Sequence, residues 1–124
     1  MSPHQFLLTR RYKMSLVHQI PAEFVGNECS QLHGHDFKVD VVVAGMPDPV
    51  TGFLISRLEL DRIVETTLLK PYREKPLHEL QNKMTGEAIA ARLFELLRAP
   101  SALGESCVSV NLIETRKNRF QATV

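Results

Sequence analysis

The stretch from Phe37 to Val43 does most to limit what this chain can fold into. Apolar and polar side chains alternate at its start, and four of its seven residues are valines. β-Branched residues favour strands, and alternation with a period of two gives a strand one apolar and one polar face. The stretch therefore predicts a half-buried β-strand over about residues 33 to 44, in a sheet that has one covered face.

Three further strands are predicted by the same kind of pattern. The first covers residues 5 to 18, with a break near Arg10 and Arg11 left open, the third covers 106 to 115, and a short one covers 120 to 124. Together with the helices between them, they give the order β-β-α-α-β-β. This order indicates an α+β domain, with an antiparallel four-stranded sheet and two helices on one face.

The two helices have recognisable starts. Ser56 and Glu59 have the spacing of a capping box, and a partial apolar stripe continues that helix to about Leu69. Two prolines predict a loop over residues 70 to 83. Thr85 is placed to cap the second helix, and Glu87, in its first turn, suits the positive end of the helix dipole.

Size and charge exclude several classes of protein. A chain of 124 residues is expected to form one domain, residues 1–124, and its net charge of +1 gives no case for nucleic-acid or membrane binding. No apolar run approaches the roughly 18 residues needed to cross a bilayer. The first residues lack the pattern of a signal peptide, so we expect a cytoplasmic protein whose Cys29 and Cys107 are free thiols.

The residues with the most distinctive chemistry lie just before the Phe37–Val43 strand. His33 and His35 are two apart, so a strand would place both imidazoles on one face. His18, at the end of the first predicted strand, is the best candidate for a third ligand. Three imidazoles with one coordination position left open are typical of a catalytic zinc site. Cys29, four residues before His33, would lie near that cation, although a buried and inert thiol is the commoner fate of a free cysteine.

These residues resemble the family of 6-pyruvoyltetrahydropterin and 6-carboxytetrahydropterin synthases. Its pattern is a strand ending in His, followed by Cys-x-x-x-His-Gly-His, which matches His18 and the stretch Cys29–His35. Three more motifs of that family occur in the same order. They are Thr51–Ile55, Met84–Ala90 and Val108–Thr115, the last ending in Glu-Thr.

The resemblance implies a fold, an assembly and a site. The fold is the tunnelling fold, or T-fold, and the assembly is a homohexamer built as a dimer of trimers. The implied metal is Zn²⁺, held by His18, His33 and His35, with Cys29 as the general base. Glu114 is implied to anchor the pterin ring and to take part in the proton relay. Thr85 and Glu87 are implied to lie near the pterin, although helix capping alone would explain both of them.

One part of the family pattern is altered. The family has an Asp-His pair that assists the cysteine, whereas this chain has Leu77 before His78. A carboxylate partner fixes the tautomer of a histidine and raises its basicity, which leucine does not. A second alignment places His78 at the Asp position and Glu79 at the His position, an inverted pair. We take His78 as the relay residue and leave the alignment open.

The sequence therefore predicts a zinc-dependent pterin lyase acting on 7,8-dihydroneopterin triphosphate. The small size favours the 6-carboxytetrahydropterin synthases of queuosine biosynthesis. Alternatives are triphosphate elimination of the 6-pyruvoyl type, aldol cleavage of a dihydropterin, and a non-catalytic paralogue that binds zinc and a pterin or purine. Candidates for the triphosphate site, for which a solvated surface is the ordinary alternative, are Arg10, Arg11, Lys13, Arg116, Lys117 and Arg119.

Overall fold

The computed structural model describes residues 5–16, 36–83, 85–114 and 116–124. Its four strands form one antiparallel sheet in the order β1-β2-β3-β4. The strands are β1 (Phe6–Ser15), β2 (Asp36–Gly45), β3 (Cys107–Ile113) and β4 (Arg119–Thr123). β1 is continuous through Arg10 and Arg11, so the break considered there is absent. The predicted order of strands and helices is confirmed.

The helices pack on one face of this sheet. They are α1 (Arg57–Val64), a π-helical segment (Glu65–Leu69), α2 (Lys70–Glu74), the short α3 (Leu77–Leu80) and α4 (Gly86–Leu97). The core between sheet and helices is apolar and nearly inaccessible to solvent. From the sheet it receives Met14, Phe37, Val39, Val41, Val110 and Leu112, and from the helices Leu60, Val64, Leu68, Tyr72, Leu77, Ile89, Leu93 and Leu97.

The loop predicted over residues 70 to 83 is wrong for most of its length. α1, the π-helical segment and α2 follow one another without a break through Pro71. Proline has no N–H and clashes with the preceding turn of a regular helix, so it ordinarily breaks one. Here the Lys70 N–H donates to the carbonyl of Glu65, five residues back, and this wider turn accommodates the proline at the next position.

Both predicted helix starts are confirmed. The Ser56 hydroxyl accepts a hydrogen bond from the Glu59 N–H at 3.4 Å, and the Thr85 hydroxyl accepts one from the Ala88 N–H at 3.2 Å. Cys107 is a free thiol, as expected. It is buried in the core, and burial raises the pKa of its thiol to about 11. None of the helices in the described ranges is long and apolar enough to span a membrane.

Candidate functional site

Three strand ends meet at one end of the sheet. Ser15, the last residue of β1, is paired with Asp36, the first residue of β2. Because β2 and β3 are antiparallel, the start of β2 also lies beside the end of β3, where Lys38 is paired with Ile113. Asp36 and Glu114 are therefore brought to the same place although 78 positions separate them in the sequence.

An open cavity of about 520 Å³ lies at this end of the sheet. Five of its eight wall residues are basic and two are acidic, so the cavity favours an anionic ligand. The wall is formed by Arg11, Asp36, Lys38, Ile113, Glu114, Arg116, Lys117 and Arg119.

Glu114 directly follows β3 and is half-buried in the wall of this cavity. Its backbone N–H donates to the carbonyl of Asn118 at 3.1 Å, which ties the end of β3 to the segment that leads into β4. The main chain that carries this carboxylate is thus held in place on both sides. A carboxylate at this position can accept two parallel hydrogen bonds from an amino group and an adjacent ring N–H.

The predicted zinc ligands His18, His33 and His35, and the predicted base Cys29, lie outside the described residues. His35 immediately precedes Asp36 in the chain, so the Cys29–His35 stretch is covalently attached to the end of the sheet that carries the cavity. Within the described ranges, no group of three or more His, Cys, Asp or Glu side chains is placed to hold a metal ion.

Thr85 and Glu87 lie at the start of α4. The Thr85 hydroxyl is engaged as the helix cap, and the Glu87 side chain is exposed in the first turn. Neither residue belongs to the wall of the cavity beside Glu114. Helix capping accounts for both residue types, and a role in pterin binding stays a prediction.

The altered pair Leu77-His78 lies on α3. Leu77 is 4% exposed and packs in the hydrophobic core, which explains why an apolar residue stands there. The Nδ1 atom of His78 is buried and has no hydrogen-bond partner among the described residues, and Glu79 is exposed. An aspartate at position 77 would place a carboxylate in the core, so the substitution Leu77→Asp would damage packing rather than restore a relay.

The structure separates the six basic residues proposed for the triphosphate. Arg10 lies on the helix-covered side, where its guanidinium donates to both carboxylate oxygens of Asp61 at 2.7 and 2.9 Å. Lys13 makes an exposed ion pair with Asp36 at 3.5 Å. The other four line the cavity: Arg11, Arg116, Lys117 and Arg119.

Lys38 also lines the cavity, and the sequence analysis missed it. The signal was present in the alternation of β2, where Val39 and Val41 are fully buried against the helices. Lys38 and Asp40 alternate with these valines along β2, so their side chains must face the other way. On that face Asp40 accepts two hydrogen bonds from the Arg11 guanidinium at 2.7 and 3.0 Å, which raise the pKa of Arg11.

Comparison with known proteins decides the family. The solved "Structure of Caenorhabditis elegans 6-pyruvoyl tetrahydropterin synthase" has the same fold, with a TM-score of 0.77 at 19% sequence identity over 100% of this chain and 99% of that one. The family model described as 6-pyruvoyl tetrahydropterin synthase matches residues 7–123. The chain belongs to this family. The T-fold and the α+β class expected from the sequence are therefore confirmed.

Two relatives within the 6-pyruvoyl tetrahydropterin synthase family carry different names. The chain is 30% identical over 120 residues to the 6-carboxy-5,6,7,8-tetrahydropterin synthase of Bacillus subtilis, covering 91% of this chain and 82% of that protein. It is 31% identical over 129 residues to the 6-pyruvoyl tetrahydrobiopterin synthase of Pongo abelii, covering 92% and 88%. Members of the family are lyases that act on pterins. The identities to the two relatives are nearly equal, so similarity alone does not distinguish a 6-carboxy from a 6-pyruvoyl product.

Proposed function

We propose that this protein is a zinc-dependent lyase that converts 7,8-dihydroneopterin triphosphate and water to 6-carboxy-5,6,7,8-tetrahydropterin, a step of queuosine biosynthesis. Triphosphate and a two-carbon aldehyde leave, and the side-chain oxidation is balanced by reduction of the dihydropterin ring to the tetrahydro level. The observation that supports it most is the cavity shared by Glu114 and Asp36. Glu114 is the predicted pterin anchor, and Asp36 is the first residue of β2, directly after the Cys29–His35 stretch. The cavity therefore lies beside both parts of the predicted site. Its volume lies within the range of small-molecule sites, and its basic wall suits a phosphorylated substrate.

The zinc would be held by His18, His33 and His35. Three neutral imidazoles form a donor set that fits Zn²⁺ and leaves one position for a substrate oxygen, whereas a structural zinc site would use a fourth protein ligand. When bound, the ion supplies Lewis-acid polarisation of hydroxyl groups on the substrate side chain.

Three residues of the chain would then bind the pterin ring and transfer the proton. The Glu114 carboxylate accepts hydrogen bonds from the pterin amino group and the neighbouring ring N–H, which fixes the ring and orients the side chain. Cys29, as a thiolate, removes a proton from that side chain. His78 passes the proton on, and its buried Nδ1 is the position at which a hydrogen-bonding partner is needed.

Two other functions remain alternatives. Because relatives carry both names, elimination of triphosphate in the 6-pyruvoyl manner is the second candidate. Aldol cleavage of a dihydropterin stays beside it as a prediction from the sequence. The altered relay, with Leu77 in place of the family's aspartate, supports a third candidate, a paralogue that binds zinc and a pterin or purine without turnover. No carboxylate precedes His78 in this chain, so its basicity lacks the usual support.

The zinc assignment is tested by metal analysis of purified protein. We expect one zinc per chain in the wild type and in His4→Ala, which changes a histidine outside the predicted set. His33→Ala should lose most of the zinc, because removing one of three ligands leaves two. Full zinc content in His33→Ala would overturn the predicted ligand set.

A further inference from the structure

The face of the sheet that the helices do not cover is polar. Strand register aligns Lys13, Lys38, Ile113 and Arg119 in one row across all four strands. The next row aligns Arg11, Asp40, Asn111 and Gln121. The first row contains three cations and no carboxylate, and it crosses the sheet beside Glu114.

The cations of this face differ in what they contact. Arg11 is engaged by two hydrogen bonds to Asp40, which is only 8% exposed, and Lys13 is paired with Asp36. Lys38, Arg116 and Arg119 also line the cavity, but they form no ion pair with any residue in the described ranges. Their side chains are exposed, so all three are available to a ligand.

These three cations are placed on two sides of the predicted pterin anchor. Lys38 on β2 and Arg119 on β4 are both paired with Ile113, the residue before Glu114. Arg116 follows Glu114 by two positions, in the turn that the Glu114–Asn118 hydrogen bond closes. Guanidinium groups bind phosphate oxygens in pairs, and an ammonium adds a compact positive charge.

We propose that Lys38, Arg116 and Arg119 form the subsite for the triphosphate group of the substrate. This proposal rests on the proposed function, and it assigns the polyphosphate to the uncovered sheet face while Glu114 holds the ring. Inorganic triphosphate has the same chemistry as that group. It therefore binds the same three residues when it is supplied alone.

The test compares the double variant Lys38→Gln/Arg119→Gln with wild type and with the control Lys75→Gln. Lys75 is an exposed lysine outside the cavity. Calorimetry measures binding of inorganic triphosphate, and of 7,8-dihydroneopterin, which has the ring without the phosphates. We expect the Kd for triphosphate to rise about tenfold or more in the double variant and to stay unchanged in the control, because charged hydrogen bonds are lost. Binding of dihydroneopterin should change less than twofold.

Three results would overturn the subsite. The first is equal affinity for triphosphate in the double variant and the wild type. The second is a wild type that does not bind triphosphate. The third is a double variant whose affinity for dihydroneopterin falls as much as its affinity for triphosphate, which would indicate general damage to the site. Circular dichroism and zinc content check that the double variant is folded, and Arg116→Gln alone provides a second variant. A wild type that binds triphosphate but does not turn over the substrate would contradict the proposed function and leave the subsite supported.

Discussion

At the scale of single residues, Glu114 is the carboxylate that the strand pattern and the fold place in the cavity. Its backbone N–H is hydrogen-bonded at the end of β3, and its side chain lies in the cavity wall, where the carboxylate offers acceptors to a ligand. A carboxylate in this place favours ligands that present N–H groups to it. A ligand N–H that is buried without an acceptor loses its hydrogen bonds to water and forms no new one.

Glu114→Gln should weaken pterin binding. The amide presents a donor where the ring needs an acceptor, which leaves a ligand N–H unpaired at a cost of about 1–3 kcal/mol. Titration calorimetry with 7,8-dihydroneopterin measures the change. Glu105→Gln, an exposed glutamate in the turn before β3, is the control and should bind as the wild type does. Unchanged affinity in Glu114→Gln would remove Glu114 from the site.

At the scale of elements, β1 and α1 are joined by polar contacts at the edge of the core. Asp61 on α1 accepts hydrogen bonds from the Arg10 guanidinium and, at 2.7 Å, from the hydroxyl of Tyr12. The hydrogen bonds from Arg10 and Tyr12 hold the pKa of the Asp61 carboxyl below its usual range. The contacts fix how the first helix lies against the edge strand.

Asp61→Asn should lower the stability of the fold in a pH-dependent way. A carboxyl whose pKa is lower in the folded state contributes stability above its unfolded pKa of about 4, and that contribution is lost as the pH falls through the folded pKa. The difference between variant and wild type in urea unfolding should therefore be largest at neutral pH and should shrink below about pH 4. Glu105→Gln, an exposed glutamate that forms no ion pair in the described ranges, is the control. A difference that is the same at pH 7 and pH 3 would contradict the role assigned to the charge.

Sequence patterns predicted the elements whose signals are local. Alternation revealed β2, and the residues at the N-caps revealed the starts of α1 and α4. The loop over residues 70 to 83 was wrong because the effect of Pro71 depends on the wider turn that precedes it, which no single residue signals. The placement of Lys38 beside Glu114 depends on how β2 pairs with β3, and pairing between distant strands is not visible in local periodicity.

At the scale of the whole molecule, the sheet has two edges. β1 and β4 each pair with one neighbour within the described part of the chain. The start of β1 is also apolar and exposed, with Leu7 68% and Phe6 50% accessible, beside the exposed Phe53. Unpaired edges and exposed apolar groups favour association with other chains. We propose that identical chains cover them, in a dimer of trimers.

The proposed assembly predicts a species of six chains in sedimentation-velocity experiments at micromolar concentration. A second measurement is hydrogen exchange of the β1 amides that point away from β2. Pairing with another chain should protect them, and protection should decrease on dilution as the assembly dissociates. A monomer at micromolar concentration, with fast exchange along β1, would contradict the proposal.

The proposed function requires that this protein convert 7,8-dihydroneopterin triphosphate by using Cys29 as a base beside a bound zinc. The most direct test is to incubate the zinc-loaded protein with that compound and to identify the products by mass spectrometry, with Cys29→Ala as the comparison. We expect 6-carboxy-5,6,7,8-tetrahydropterin from the wild type, and at least a hundredfold less from a Cys29→Ala variant that retains its zinc. If the zinc-loaded wild type leaves the compound unchanged, the proposed reaction is wrong. If Cys29→Ala forms product at the wild-type rate, Cys29 is not the base.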